Sequence, residues 1–280
     1  MAIDDTVRYQ LPDSARGDRL AGKVVLVTGG GSDGEFLGVG AATAVLCAAL
    51  GARVGVADVS ADRAGQTLDR IAALGGEGVV VAADVTDTDS CRRAADAVVE
   101  RFGRLDVLVN NAAIATGGTV VDIDEDVWER TLRVNLGGVM RMSRAAIPHM
   151  VATGGGSVVH VSSIAGIRGL GTAGYAAAKG GVQALTADMA FSHGPDGVRV
   201  NCILPGHLHT PMGFQGSAET RQVRRESGLV DVEGDAWDAA WAIVFLAGDE
   251  SRFITGVLLP VDAGTTATTH SALRRRLGRS

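Results

Sequence analysis

The sequence predicts an α/β fold: a doubly wound parallel sheet of seven strands with helices on both faces, in one domain. Three observations carry this. Short β-branched runs alternate with longer alanine-rich segments along most of the 280 residues. The strand-like runs are continuously apolar, as expected of strands buried on both faces. No linker, low-complexity block or tandem repeat interrupts the rhythm. Repeated βα alternation means parallel strands joined by right-handed crossovers.

The elements follow in order. KVVLVT (Lys23–Thr28) is the first strand, and GVGAATAVLCAALG (Gly38–Gly51) a helix stopped by glycine. RVGVAD (Arg53–Asp58) is the second strand. The next helix starts at a Ser60 cap and ends at Gly75–Gly76. GVVVAAD (Gly78–Asp84) is the third strand, followed by a capped amphipathic helix from Thr86 to Gly103. LDVLVNNA (Leu105–Ala112) is the fourth, with helical segments over 125–135 and 136–152. GSVVHVSS (Gly156–Ser163) is the fifth, before a helix over 173–192; VRVNCILP (Val198–Pro205) is the sixth. A polar, irregular stretch over 206–234 precedes a helix over 235–248 and a last strand in GVLLPVDAG (Gly256–Gly264). Residues 1–20 are expected to be an irregular arm, 21–270 the domain, and 271–280 a basic tail.

Composition narrows the function classes. A net charge of −6 excludes a broad basic face for nucleic acid. The cysteines Cys47, Cys91 and Cys202 are far apart with no CxxC spacing. Cys47 and Cys202 sit in apolar segments and predict buried thiols; the set implies no disulfide framework, no metal site and a reducing cytoplasm. The polar N-terminus has no signal-peptide core, and no apolar run is long enough to span a bilayer.

Ligands of a doubly wound sheet bind beyond the carboxyl ends of its strands, so the chemistry is sought there. TGGGSDGEFLGVG (Thr28–Gly40) joins a strand to a helix, with Gly38 and Gly40 at the helix start. Backbone N–H groups and the helix dipole at such a turn suit a pyrophosphate; a flexible loop has the same composition. Asp58 ends the second strand 18 residues after Gly40. That is near the ~20 expected of the acid that receives an adenosine ribose diol, although a cap would read similarly. An acid there repels a 2′-phosphate and favours NAD over NADP. Arg63, one helical turn on, is the nearest cation and is expected to face solvent. Asp84 and Val85 end the third strand where an adenine could rest; Asp84 could equally be only a cap.

GYAAAKGGV (Gly174–Val182) places Tyr175 and Lys179 four apart, on one helix face. An ammonium one turn away lowers a phenol's pKa from its usual ~10, giving a tunable general acid/base. Ser163 ends a strand 12 residues before Tyr175, at the same sheet edge. Asn135 sits within a helical segment, where an amide needs a partner.

With these residues in order, the chain resembles the short-chain dehydrogenase/reductase family. The resemblance rests on TGGGSDGEFLGVG, AD at 57–58, ADV at 83–85, NNAA at 110–113, VNLGG at 134–138, SS at 162–163, YAAAK at 175–179, PGHLHT at 205–210 and GVLLPVDAG at 256–264. It covers about 20–264, and the ordered set is specific where each motif alone is modest. It implies a Rossmann-like sheet of strand order 3-2-1-4-5-6-7. It also implies a catalytic set: Tyr175 exchanging the proton with the substrate oxygen, Lys179 binding the nicotinamide ribose and lowering the tyrosine's pKa, Ser163 orienting the substrate oxygen, and Asn135 holding a water of the proton path. Cofactor contacts are implied for Gly29, Gly31, Ser32, Gly38, Val39 and Gly40; for Asn111, Ala112 and Ala113; and for Pro205, Gly206, Leu208 and Thr210, beside Tyr175 and Lys179. A homotetramer through the helices over 136–152 and 173–192 and the C-terminal strand region is implied as well.

Three departures stand out. Five extra residues separate TGGGS from GVG relative to the family's usual loop; a subset of the family has a similarly long loop. NNAA replaces NNAG, so that turn is expected to be slightly displaced. Ser163 lies one residue nearer Tyr175 than is most common, which keeps Ser162 as an alternative.

The substrate is expected to contact Ser163, Ile164, Leu170, His207, Met212 and Phe214, with 206–234 as a lid. That mostly apolar set predicts a moderately hydrophobic secondary alcohol or ketone without an obligatory charge. His207 and His209 share a loop but lack a third ligand, so no metal is expected. Two other readings compete: an isomerase or lyase using transient oxidation, and an NAD-binding regulator without turnover.

Overall fold

The computed structural model describes residues 11, 17–34, 36–213, 218–269 and 272. Most of the predicted arm and basic tail lies outside these residues, as does Phe214. The elements run β1 (Val24–Thr28), α1 (Val39–Ala49), β2 (Arg53–Asp58), α2 (Ala61–Ala73), β3 (Glu77–Ala82), α3 (Thr88–Phe102), β4 (Val107–Asn110), α4 (Glu125–Asn135) and α5 (Gly137–Ala152). The chain continues through β5 (Gly156–Val161), α6 (Ala173–His193), β6 (Val198–Pro205), β7 (Leu208–His209), α7 (Ala218–Glu226), β8 (Gly234–Asp235), α8 (Ala236–Ala247) and β9 (Leu258–Val261).

Seven strands form one parallel sheet in the order β3-β2-β1-β4-β5-β6-β9. This is the predicted Rossmann-like arrangement, a single α/β domain. The order reverses between β1 and β4, so the chain leaves these neighbouring strands toward opposite sides and opens a crevice at their carboxyl ends. Several predicted strands stop short: β5 ends at Val161, before the two serines, and β4 at Asn110. The residues past each end turn out of the ladder and become the loops that carry the site.

The alanine-rich composition has a packing purpose. Residues 40–48 of α1 are all buried, because α1 packs on β1 and β2 with α2 and α8 against its sides. α1 supplies Ala41, Ala42 and Ala44, and α8 answers with Ala239 and Ala240. Small side chains let two helices and a sheet approach closely. The opposite face is covered by α3, α5 and α6, through Val98, Phe102, Met142, Met150 and Met189. Trp237 is core on α8, which begins with a capping box between Asp235 and Asp238.

The 206–234 stretch is more ordered than its sequence suggests. β7 and β8 pair in parallel, Leu208 with Gly234 and His209 with Asp235, and α7 lies between them. Two-residue strands have no periodicity to read; only the returning chain creates them. Among the described residues, no helix is long and apolar enough to cross a membrane, and no group of three metal-ligating side chains occurs.

Candidate active site

The glycine loop is held from beneath by β4. Asn111 donates its side-chain amide to the Thr28 and Gly29 carbonyls, at 3.1 and 3.0 Å. Thr28 Oγ1 in turn accepts from the Asn111 and Ala112 amides. Gly29 has φ +62°, and a Cβ there would fall 2.8 Å from Ala112 Cα. At Gly40 a Cβ would fall 2.2 Å from the Gly29 carbonyl oxygen, so only glycine lets α1 start this close to the loop. Gly38 is the α1 N-cap, with no side-chain bond to the helix and open space around its Cα. α1 therefore presents bare N–H groups and its positive dipole end, a cradle that fits a pyrophosphate.

Asp58 is buried and holds three donors. Its carboxylate accepts from the Gly31 N–H at 3.0 Å, the Ser60 N–H at 3.0 Å and Arg63 Nη2 at 2.9 Å. The insertion in the glycine loop is thus pinned to β2 through Gly31, and Ser32 donates its N–H to the Arg63 carbonyl. Arg63 does not simply face solvent as expected. The charge of Asp58 draws it back, and it lines both cavities of the crevice. The cavity of about 630 Å³ runs past Asp58, Asp84 and Val85. The other, of about 520 Å³, holds Gly31, Ser32, Gly38, Val39 and Gly40 and reaches Tyr175. They share Gly29, Asp58, Arg63, Ala112 and Ala113, so the crevice is continuous. Asp84 lines the first cavity and also accepts from the Thr86 N–H, which holds its carboxyl below the usual carboxylate range. The NNAA turn needs no glycine, since Ala113 is outside the positive-φ region.

The two serines separate by direction. Ser162 is buried and donates to the Lys179 carbonyl at 2.8 Å while accepting from Gln183. It ties β5 to α6 and is spent there. Ser163 starts a short 3₁₀ turn and accepts from the Ala165 N–H at 3.1 Å, and its hydroxyl is near enough to the Tyr175 phenol to favour the phenolate. Both serines line the second cavity, but the Ser162 hydroxyl is bound to α6, while that of Ser163 acts on the Tyr175 phenol.

Lys179 is buried, and its Nζ donates to the Val161 carbonyl at 2.7 Å. Burial pushes its ammonium down to about 8. The Tyr175 phenol is pushed up by burial, and the neighbouring Ser163 hydroxyl works in the opposite direction. The expected lowering by Lys179 is not among these causes: its ammonium lies 5.5 Å over the ring, tied to Val161.

Asn135 also departs from expectation. Its Oδ1 accepts from the Ile114 N–H at 2.8 Å and its Nδ2 donates to the Ile114 carbonyl at 2.9 Å. The side chain is fully buried, with the Ile114 peptide as its partner. It fastens the α4–α5 break to the loop after β4 rather than offering an amide to water.

Beyond β6, Pro205, Gly206, His207, Leu208, Thr210 and Met212 line the second cavity, as does Leu170. Ile164 does not. It is buried among Val139, Val182, Cys202 and Leu204, because the turn after Ser163 rotates it into the core. Sequence reasoning missed Phe36, Thr116, Thr172 and Arg224, which also line this cavity. They come from inserted or irregular segments, where periodicity is silent.

Comparison with known proteins places the chain in a family. A family profile described as enoyl-(acyl carrier protein) reductase matches residues 35–266. The trans-4-hydroxycyclohexanecarboxylate dehydrogenase of Sinomonas cyclohexanicum is 43% identical over 259 residues, covering 89% of this chain and 95% of that protein. The chain belongs to the short-chain dehydrogenase/reductase family. Meso-2,3-butanediol dehydrogenase of Serratia marcescens, another relative, is 37% identical, with 89% and 97% covered. The solved carveol dehydrogenase of Mycobacterium avium, in complex with NAD, superposes with a TM-score of 0.84 at 33% identity, covering 90% of this chain and all of that one. These short-chain dehydrogenases act on secondary alcohols, and this protein is likewise an alcohol/ketone oxidoreductase.

Proposed function

We propose that this protein interconverts a moderately hydrophobic cyclic secondary alcohol and its ketone, with NAD preferred over NADP and Tyr175 as general acid/base. The observation that carries this is the convergence of Ser163, Tyr175 and a buried Lys179 on one cavity that is continuous with the glycine cradle. Two of the three relatives above are named for ring alcohols, which supports a cyclic substrate. A bound oxidised nicotinamide supplies the hydride acceptor, and its positive charge favours the phenolate.

The chain's own residues supply the rest. Gly29, Gly31, Ser32, Gly38, Val39 and Gly40 would hold the pyrophosphate side, and Asp58 the adenosine ribose. Ser163 Oγ orients the carbinol oxygen. Tyr175 Oη takes its proton during oxidation and returns it during reduction. Lys179, with a proton affinity close to neutral pH, relays that proton onward. Asn135 acts by positioning the Ile114 loop. The segment 206–234 serves as the lid, and the protein works in the cytoplasm as a homotetramer. An apolar groove of Leu132, Leu136, Met140 and Leu185 on α4–α6 supports the assembly.

A panel of cyclic and acyclic secondary alcohols, with NAD and NADP in parallel and reduced nicotinamide as readout, tests the proposal. Net NADH from a simple ring alcohol is expected. Redox-neutral isomerisation, or no turnover of any alcohol or ketone, would refute it.

A further inference from the structure

The insertion in the glycine loop is held along one face of α2. Arg63, Gln66, Thr67 and Arg70 share that face, and each bonds the loop. Thr67 Oγ1 donates to the Gly30 carbonyl at 2.8 Å, and the Arg63 carbonyl accepts from the Ser32 N–H at 3.1 Å. Gln66 Oε1 accepts from the Gly34 N–H at 3.0 Å, and Arg70 Nη2 donates to the Gly34 carbonyl at 2.7 Å. Asp33 is thereby bracketed by two anchored residues, Ser32 and Gly34. Its carboxylate lies 3.7 Å from Arg63 Nη1, while Asp58 holds Nη2 of the same guanidinium at 2.9 Å. A Cβ at Gly31 would fall 2.7 Å from Arg63 Cβ, so the loop is pressed against the base of this side chain. Asp33, Asp58 and Arg63 all line the second cavity. The guanidinium is thus gripped by a carboxylate on each arm, one from β2 and one from the insertion.

We propose that Asp33 is a positioning residue for cofactor choice: it holds the second arm of Arg63 and so denies a 2′-phosphate that cation. The proposal rests on the reading of Asp58 as the seat of the adenosine ribose, and it gives the insertion a share in selecting NAD. A 2′-phosphate arriving at that ribose would meet a guanidinium already neutralised from both sides. Releasing one arm lets Arg63 turn its planar fork toward phosphate oxygens. Asp58 is buried and Asp33 mostly exposed, so Asp58 carries the larger share and Asp33 the smaller.

Fluorescence titration of the full-length protein with NADH and NADPH reads this without turnover. Asp33→Asn should tighten NADPH by about threefold and move NADH by less than about 1.5-fold. In an Arg63→Ala background the same substitution should move NADPH by less than about 1.5-fold, because the cation it releases is gone. Salt at about 0.5 M should erase most of the gain, as it does for a screened charge effect and does not for a rearranged loop. An NADPH affinity unmoved by Asp33→Asn, a gain that survives Arg63→Ala, or a gain indifferent to salt overturns the proposal. The oxidoreductase reading fails separately: nucleotide selectivity that follows Asp33, with no alcohol or ketone turned over, would sink the enzyme and leave the grip on Arg63 standing.

Discussion

Lys179 Nζ donates to the Val161 carbonyl across 2.7 Å, so the last residue of β5 holds the ammonium of α6. The same strand end continues into Ser163, whose hydroxyl shares a cavity with Tyr175, one helical turn before Lys179. Sheet and helix thus share one short stretch of backbone, and the side chains of Ser163, Tyr175 and Lys179 are registered against each other there.

Tyr175→Phe should lower kcat/KM for alcohol oxidation by about 10³-fold, within the ~10²–10⁴ of general acid/base catalysis. NADH affinity, measured by fluorescence titration, should change by less than about threefold. A variant with near-wild-type turnover would remove Tyr175 from the mechanism.

Oxidation should speed up with pH. The proton must leave, so the deprotonated pair is the active form, and the rate should climb through about 8, where Lys179 titrates. The limb belongs to the coupled pair rather than to either residue. Ser163→Ala removes the hydroxyl that lowers the phenol and should move the limb to more alkaline pH. Ser163→Ala should also cost about 10²-fold or more in kcat. Ser162→Ala should instead lower stability by about 1 kcal/mol, through the lost bond to α6, with smaller effects on rate. Steady-state pH profiles and urea unfolding of both variants check this.

Asp58→Ala should shift cofactor preference toward NADP by about 10²-fold, or ~2.7 kcal/mol. The substitution removes a negative charge and releases Arg63 Nη2, now 2.9 Å from that carboxylate, toward a 2′-phosphate. Adding Arg63→Ala should cancel most of the NADP gain. Ratios of kcat/KM for the two cofactors measure both steps.

Alkaline pH should destabilise the fold through its thiols. Burial pushes Cys47 from 9.0 up to about 12, and Cys91 and Cys202 up to about 11. A folded pKa above the unfolded one means the native state keeps protons that the unfolded chain has lost. The thiols' contribution is therefore complete below about 9 and declines as pH rises toward the folded values. Each thiol adds a slope of about −1.4 kcal/mol per pH unit in that window. Cys47→Ala should make the fall between pH 9 and 11 shallower by about that amount, read from urea midpoints.

Much of this was legible in the chain alone. Continuous apolar runs broken by capped helices announced the parallel sheet, because burial on both faces leaves a one-dimensional trace. A four-residue spacing put Tyr175 and Lys179 on one helix face for the same local reason. The glycines of the cradle were visible because only their missing side chains permit the close approach at Gly29 and Gly40. Tertiary structure alone gave Ser162 its partners on α6, buried Ile164 in the core, bound the Asn135 amide to Ile114, folded Arg63 back onto Asp58 and turned Arg224 toward the cavity. Each of those outcomes depends on where a chain segment returns after leaving the sheet. Periodicity reports which face of an element is buried; the direction of a loop side chain is set by partners far away in sequence.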